Sequence, residues 1–315
     1  EEESSQTYCS EDVYFAQADA GDLPLDTGRV ESYLSNISYL DLSDFVTYNA
    51  TEEELASYGL DTPDLSVTLQ YMVEDEETGE SREETFVLHL SRDPEEAAAE
   101  EAAAAETEAA AAEAAEEAAE EASAEAAEEA AQEEAAEEAG SEEEEAPFTA
   151  YARVGESQIV YQISEYYYEA LMAAAYDDLR HEEVFTADFD TVYQLDFTLE
   201  GSQYTITSQV DAEASDEAEA TVRTYYYQEE ELDLTGLQTA IQALAASSFT
   251  QEQPTEKEEI RFTAYLENEN FPTVEVILYR YDGENCLAVV DGEPVSLVPR
   301  SQVVDLIEAL NAIVL

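Results

Sequence analysis

The sequence predicts an α+β protein made of two repeated units, each an antiparallel sheet with flanking helices. Two kinds of segment support this class. Stretches such as LSVTLQYMV and EIRFTAYL alternate between polar and apolar residues and are rich in β-branched and aromatic side chains, which is typical of strands. Other segments carry apolar residues at helical spacing. Because both kinds recur in the same order, we predict one unit over residues 1–178 and another over 179–315.

The two units are related by constant residue offsets. Five apolar residues near the start of the first unit match five in the second, each 234 − 30 = 204 positions later. Further along, Gly155 matches Gly292 and Ser164 matches Ser301, both 137 positions apart. Each serine is suited to N-cap the helix that closes its unit. The matched apolar pairs are Val30 and Leu234, Tyr33 and Leu237, Ile37 and Ile241, Leu40 and Leu244, and Phe45 and Phe249.

The offset falls by 204 − 137 = 67 residues, mostly because of a run of alanine and glutamate at residues 95–146. This run has 25 Ala and 22 Glu in 52 residues. Intrinsic propensity favours a helix, whereas repulsion between glutamates opposes one. The run is therefore predicted to be either a solvated, fraying helix or a disordered segment. It serves as a spacer or cation-attracting arm, or it is a tolerated low-complexity expansion.

The corresponding connection in the second unit is short, and its Asp282-Gly283 pair is typical of a tight hairpin. We therefore predict that the alanine and glutamate run is an insertion in a hairpin loop, whose removal leaves the sheet intact.

Local signals predict several turns and helix ends. Thr51 and Glu54 have the spacing of a capping box, Gly59 is suited to a left-handed helix C-cap, and Pro63 prevents the helix from continuing. Glu200-Gly201 predicts another hairpin. These signals have a structural explanation and need no binding role.

The charge of the chain narrows its partners. Ten Lys and Arg stand against 79 Asp and Glu, for a formal net charge of −69. Without the 22 glutamates of the run the charge is −69 + 22 = −47, so the acidity belongs to the whole protein. Such a chain repels nucleic acid and anionic membrane surfaces. Basic proteins and weakly bound divalent cations remain as partners.

The residue pattern predicts no catalytic residue, no cofactor and no dedicated metal site. His89 and His181 stand far from one another and from any Cys or Ser motif, so a structural or surface role is favoured for each. Carboxylate pairs carry little information among 79 acidic residues. Whether the protein is an enzyme stays open, with the balance against it. Cys9 and Cys286 either form one disulfide or remain two buried free thiols.

Tyrosine is the most unusual uncharged residue, with 21 copies and no Trp in the chain. Aromatic platforms bind sugars and proteins, and Tyr is enriched at interfaces. The alternative is that Tyr fills half-buried positions in place of other aromatic residues. The tyrosines include two runs of three. If the second run, Tyr225 to Tyr227, is a strand, the side chain of its middle residue faces opposite to those of its neighbours. The candidate interaction surface is formed by Tyr166, Tyr167, Tyr168, Tyr225, Tyr226 and Tyr227.

Three segments in a fixed order, LPLDTGRVESYLSNISYL, TEEELASYGLDTPDLSVTL and VGESQIVYQIS, carry a family resemblance. Together they resemble the bacterial domain-of-unknown-function family 4340, and Tyr58 to Pro63 is the most recognisable piece. The resemblance implies a protein held by an N-terminal hydrophobic segment on the outer side of the cytoplasmic membrane. Some members are similar to accessory proteins encoded beside ABC transporters of the gliding-motility type. It implies no catalytic residue.

The expected function follows from this resemblance. We expect a membrane-tethered, extracytoplasmic interaction or scaffold module, with a protein partner in the cell envelope such as ABC transporter subunits. The alternatives are a glycan-active envelope enzyme and a protein that binds a small ligand or a cation. The chain begins at Glu1 and has no apolar run of the roughly 18 to 20 residues that span a bilayer. It is therefore expected to be a fragment without its N-terminal anchor.

Overall fold

The computed structural model describes residues 7–18, 21–75, 79–105, 107, 148–212, 215 and 221–314. Helices and antiparallel sheets occur together in these residues, which confirms the predicted α+β class. The chain forms two compact units. One spans Tyr33–Ala173, and the other combines the described residues up to Ser32 with those from Ala174 onward. The division into repeats at residues 1–178 and 179–315 stays a prediction.

Six helices and sixteen strands are named here in chain order. They are β1 (Phe15–Ala18), β2 (Gly21–Pro24), α1 (Thr27–Ser38), β3 (Phe45–Thr47), α2 (Glu52–Ser57), β4 (Leu65–Glu74), β5 (Ser81–Arg92), β6 (Ala150–Val154), β7 (Val160–Ile163), α3 (Glu165–Met172), α4 (Tyr176–Leu179), β8 (Val192–Leu199), β9 (Ser202–Val210), β10 (Arg223–Tyr227), β11 (Glu230–Leu232), α5 (Thr235–Gln242), β12 (Ser248–Phe249), β13 (Glu258–Leu266), β14 (Thr273–Arg280), β15 (Asn285–Val290), β16 (Glu293–Pro299) and α6 (Arg300–Val314).

The unit at Tyr33–Ala173, called the five-stranded unit, is built on a sheet in the order β3-β7-β6-β5-β4. Both faces of this sheet are covered. On one face, Leu88, Leu90 and Ala152 pack with residues of α1 and α3. On the other, Tyr151 packs in a smaller cluster with Leu55 of α2. Successive side chains of a strand point to opposite faces, so neighbouring residues of β6 enter different cores.

The helix and turn before β4 form as predicted. The Thr51 hydroxyl accepts a bond from the Glu54 N–H at 3.2 Å, and the Glu54 carboxylate accepts one from the Thr51 N–H at 2.8 Å, which completes the capping box. Gly59 has a φ of 72°. A Cβ there would lie 2.7 Å from the Ser91 Oγ, and Ser91 donates to the Gly59 carbonyl at 2.9 Å. Glycine is required here both by conformation and by the close approach of Ser91.

The insertion joins two strands that pair side by side. Arg92 at the end of β5 lies opposite Ala150 at the start of β6, which confirms that the run interrupts a hairpin. Residues 94–105 are helical and largely exposed, and the Asp93 side chain caps this helix by accepting from the Glu95 N–H at 2.9 Å. Residues 108–147 lie outside the described part, and so does the choice between helix and disorder for them.

The second compact unit, called the nine-stranded unit, has a sheet in the order β11-β10-β9-β8-β13-β14-β15-β16-β12. Helices α5 and α6 contribute Ile241 and Leu306 to one large core with the sheet residues Phe197, Phe262 and Leu278. The hairpin β1-β2 also belongs to this unit and forms a separate two-stranded sheet.

Two predicted hairpins of the nine-stranded unit are confirmed. Glu200 and Gly201 connect β8 to β9 with φ values of 51° and 82°. Residues 281–284 connect β14 to β15, and the Asp282 carboxylate accepts from the N–H groups of Glu284 and Asn285 at 2.7 and 2.6 Å. These bonds stabilise the turn locally.

The two closing helices begin differently. Ser164 caps α3 as predicted, since its hydroxyl accepts from the Tyr167 N–H at 3.4 Å. The N-cap predicted at Ser301 is wrong, because α6 begins at Arg300. The reason lies in the neighbouring turn, where the Glu284 carbonyl accepts from the Arg300 N–H at 2.7 Å and fixes the start of the helix two residues earlier than a Ser301 N-cap would.

The two sheets share one pattern of connections. The order β4-β5-β6-β7-β3 in the five-stranded unit is repeated by β13-β14-β15-β16-β12 in the nine-stranded unit. Gly155 and Gly292, matched in sequence, both have positive φ values, 52° and 88°, after corresponding strands. This agreement supports the predicted internal repeat, which itself stays a prediction.

Candidate functional site

A histidine and three carboxylates from distant parts of the chain converge in the nine-stranded unit. His181 follows α4, and its Nε2 lies 2.8 Å from Oδ1 of Asp12, whose side chain is 3% exposed. The other ring nitrogen, Nδ1, lies 3.7 Å from Oδ2 of Asp26 and 3.9 Å from Oε2 of Glu183. We call Asp12, Asp26, His181 and Glu183 the His181 cluster.

The fold positions each member through its backbone. Asp26 caps α1, because its Oδ1 accepts from the Arg29 N–H at 2.9 Å, which leaves Oδ2 to face the histidine. The Asp26 N–H in turn donates to the Leu179 carbonyl at 2.9 Å. Glu183 forms an antiparallel bridge with Ala245.

The segment that contains Asp12 is held by a single hydroxyl. Thr27 Oγ1 donates to the Glu11 carbonyl at 2.8 Å and accepts from the Val13 N–H at 3.2 Å. The two residues that flank Asp12 are therefore fixed to the first turn of α1, which holds the Asp12 side chain within hydrogen-bond distance of the imidazole.

A pocket of about 610 Å³ opens beside this cluster. The hydrogen bond to Asp12 raises the pKa of His181, burial opposes this shift, and the negative charges of Asp12, Asp26 and Glu183 add to it. No Lys or Arg is among the described residues that line the pocket, so its potential is strongly negative. Its titratable lining residues are Cys9, Glu11, Asp12, Asp26, His181, Glu183, Asp188 and Asp190.

The two cysteines are free, so the alternative of a disulfide between them is not realised. Cys9 is partly buried at the pocket, and Cys286 is buried in the core of the same unit. Burial raises the pKa of each thiol to about 11, so both are protonated at neutral pH.

The first tyrosine run lies on α3 and is mostly engaged within its own unit. Tyr166 is 66% exposed. The Tyr167 hydroxyl donates to the Tyr39 carbonyl at 2.9 Å, and the Tyr168 hydroxyl donates to Asp64 at 2.9 Å. Burial is the main cause that raises the pKa of Tyr168 to about 12. Tyr166 is the member of this run with the largest surface for a partner.

The second run lies on β10 and alternates as predicted. Tyr225 is buried in the core, its hydroxyl donates to the Val192 carbonyl at 3.2 Å, and burial raises its pKa to about 12. Tyr227 is half-buried against the same core, and Tyr226 points to the other face of the strand. A binding role for either run stays a prediction.

An exposed apolar patch lies on the edge strand β3, whose described neighbour in the sheet is β7 alone. Phe45, Val46 and Tyr48 are 46%, 37% and 67% exposed. The ring of Phe45 stacks on Tyr48 with centroids 4.7 Å apart and lies 5.2 Å from the ring of Tyr161. We call these four residues the β3 edge patch.

The aromatic residue on the matching edge of the nine-stranded unit is in contact with an arginine. Strand β12 has the same position beside β16, and its Phe249 corresponds in sequence to Phe45. The guanidinium of Arg180 lies 4.3 Å from the centroid of the Phe249 ring. An intramolecular cation–π contact thus occupies one edge aromatic residue, whereas its counterpart faces solvent.

Comparison with known families places the first part of the chain. Residues 18–91 match the family described as a domain of unknown function (DUF4340). The predicted resemblance is confirmed. No curated protein and no solved structure matches the chain. Among the described residues, no helix is both long and apolar enough to cross a membrane.

The DUF4340 match contains Asp26 and the β3 strand, so it contributes to both candidate sites. Sequence reasoning missed both. The members of the His181 cluster lie up to 183 − 12 = 171 positions apart, and no local spacing connects them. Phe45 was recognised through the repeat alone, and its exposure depends on what covers the sheet edge.

His89 and the three carboxyl groups whose pKa values are lowered have structural roles. The Nδ1 of His89 lies 2.8 Å from the Ser66 hydroxyl oxygen, and burial lowers the pKa of the ring. Glu54, Asp233 and Asp282 have lowered pKa values because they accept hydrogen bonds at a helix start or a turn. A general acid in glycan hydrolysis needs a shift in the opposite direction, so these three are poor candidates for it.

Proposed function

We propose that this protein is an interaction module of the cell envelope that binds a partner protein through the β3 edge patch. The observation that carries the proposal is the exposure of three large apolar side chains at residues 45–48, two on the edge strand β3 and one directly after it. An edge strand offers backbone groups for pairing, and exposed apolar side chains beside it add affinity. The expected mode of binding is addition of an extended partner segment to β3.

The charge around the patch selects the chemistry of the partner. Exposed Asp41, Asp44, Glu52 and Glu53 flank the strand. The sequence between Arg29 and Arg82 has no Lys, Arg or His. A partner segment with apolar residues between Lys or Arg residues would match both features and would be attracted over long range. We therefore propose an extended, basic segment of an envelope protein as the partner.

The cellular setting of this interaction is proposed from the family resemblance alone, since the match at residues 18–91 is to a domain of unknown function. We propose that the full-length protein is anchored by an N-terminal hydrophobic segment on the extracytoplasmic side of a bacterial membrane. The proposed partner is a subunit of an ABC transporter. A membrane-impermeant thiol reagent that labels an exposed cysteine, introduced in place of Tyr166, in intact cells would support this orientation. Labelling only after lysis would contradict it.

Site-specific photocrosslinking tests the interaction. A photoreactive phenylalanine analogue at Tyr48 should yield a crosslinked product with a transporter subunit in host membranes. Tyr71, an exposed tyrosine on β4 at the other edge of the same sheet, is the matched control position. The double variant F45S/Y48S should abolish the product made from a probe at Val46. Equal crosslinking from Tyr71, or an undiminished product in the double variant, would refute the proposed surface.

A further inference from the structure

We infer that the His181 cluster is a binding site for a divalent transition metal ion, with zinc as the best match. This inference is independent of the proposed partner interaction, because it concerns the nine-stranded unit and the residues that line its pocket. It rests on the hydrogen bond of one ring nitrogen, the distances from the other to two carboxylate oxygens, and the charge of the pocket.

The first step concerns the ring nitrogen that is left for a metal. The buried Asp12 carboxylate takes the Nε2–H of His181 at 2.8 Å. In the neutral imidazole this hydrogen bond leaves an unprotonated lone pair on Nδ1. A carboxylate behind the ring is the usual support of a metal-binding histidine, since it fixes the tautomer and makes the ligating nitrogen more basic.

The second step concerns the spacing of the atoms around Nδ1. Oδ2 of Asp26 and Oε2 of Glu183 lie 3.7 and 3.9 Å away, and the three atoms lie within 4.8 Å of one another. These separations exceed hydrogen-bond length. Two ligands on one tetrahedral zinc ion lie about 3.4 Å apart, so a small inward movement of the exposed Glu183 side chain would complete three ligands.

The third step concerns the choice of metal and the remaining coordination position. One imidazole nitrogen with two carboxylate oxygens suits zinc better than calcium or magnesium, which prefer oxygen ligands. The adjoining pocket of about 610 Å³ leaves room for a water molecule or a ligand as the fourth donor. Its lining of carboxylates without Lys or Arg, within the described residues, attracts cations.

Titration with Zn²⁺ tests the site against the background of weak binding expected for so acidic a chain. Calorimetry of the whole chain at mildly alkaline pH, with excess Mg²⁺ to occupy nonspecific carboxylates, should show one saturable zinc site. Glu183→Gln should weaken this site by about tenfold or more. The matched control is Glu182→Gln, which removes the same charge from the neighbouring residue. The Glu182 side chain pairs with Arg29. This control should change the affinity less than twofold.

A second readout follows the histidines directly. The chain has two, so the ring nitrogen signals of His181 and His89 can be told apart by NMR with His181→Gln. Zinc should shift the Nδ1 signal of His181 and leave His89 unchanged. Asp12→Asn should lower zinc affinity by about 10–100-fold. Unsaturable binding, equal losses in the variants at Glu182 and Glu183, or an unshifted His181 signal would each overturn the inference.

Discussion

The two sheets show how one arrangement of strands tolerates very different connections. In the nine-stranded unit, four residues, 281–284, join β14 to β15. In the five-stranded unit, the corresponding connection between β5 and β6 has 149 − 93 + 1 = 57 residues. Strand order and antiparallel pairing are nevertheless the same. The difference teaches that pairing is determined by the sheet and its core, because the hairpin connection can be lengthened without changing it.

The core positions should be equivalent in the two sheets, and matched truncations test this with the largest expected effect. Leu90 lies between Leu65 and Ala152, and Leu278 lies between Ile260 and Ala288. Both leucines are fully buried. Leu90→Ala and Leu278→Ala should each lower the free energy of unfolding by about 3 kcal/mol, as measured by urea denaturation. A loss below 1 kcal/mol for either, about a third of this value, would break the equivalence.

Among the described glycines, none other than Gly59 is approached this closely by a neighbouring side chain, so its turn sharpens the comparison. Gly59→Ala should destabilise the protein by about 2 kcal/mol, because its left-handed backbone disfavours a side chain and Ser91 blocks the space. Gly155→Ala is the control, since its φ is also positive and no atom lies within 4 Å of the added Cβ. Gly155→Ala should lower the free energy of unfolding by about half as much, with thermal unfolding as the measurement for both variants. Equal losses would show that Ser91 moves aside.

Replacing the long connection by the short one tests the comparison directly. Grafting residues 281–284 in place of 93–149 should preserve the pairing of β5 with β6. It should raise the free energy of unfolding by about 2 kcal/mol, the loop-closure entropy expected from shortening a connection from 57 to four residues. Hydrogen exchange of the β5 amides measures the pairing. Loss of protection there would show that the insertion helps to hold the sheet.

Among the described residues, helix α2 lies between β3 and β4, and no helix lies between the matching strands β12 and β13. The capping box of α2 should make a smaller contribution to stability. Thr51→Ala removes the hydroxyl that accepts from the Glu54 N–H. It should lower the free energy of unfolding by about 1 kcal/mol, and Thr51→Ser should restore most of that loss. Urea denaturation of the two variants provides the measurement, and an unchanged midpoint for Thr51→Ala would mean that packing alone holds α2.

The smallest effect is the pH dependence of this cap. Hydrogen bonds from the backbone and side chain of Thr51 lower the pKa of Glu54. The folded-state pKa lies below the unfolded value, so the cap contributes stability above the ordinary glutamate range and loses it as pH falls through the lowered pKa. The amide signal of Thr51 should titrate at that lowered value. Glu54→Gln should abolish the titration, and persistence of the signal change would assign it to another group.

Most of the fold could be predicted from local patterns. Alternation identified the long strands such as β4 and β13, and turn chemistry identified the hairpins at Gly201 and Asp282. The start of α6 could not be predicted, because the Glu284 carbonyl, which belongs to a different turn, determines it. Local sequence patterns reflect contacts between residues that are close along the chain. The hydrogen bond between Arg300 and Glu284 forms only once β15 has paired with β16.

The candidate sites were much less accessible to sequence reasoning. Phe45 and Phe249 match in sequence, yet Arg180 covers Phe249 and Phe45 is exposed. Exposure depends on which element folds over an edge, and no spacing in the sequence encodes that. His181 was considered isolated because its three carboxylate partners are recognisable only after the segment around Asp12 and the start of α1 have folded beside it.

The adjacency of Arg92 and Ala150 has a practical consequence for handling the protein. The chain leaves and re-enters the sheet at neighbouring points, so the β5–β6 connection is a suitable site for inserting a foreign domain or peptide. A fluorescent protein or an epitope tag whose own ends lie close together would be displayed there without stretching either strand. A purification tag inserted in the same connection would leave both chain ends untagged.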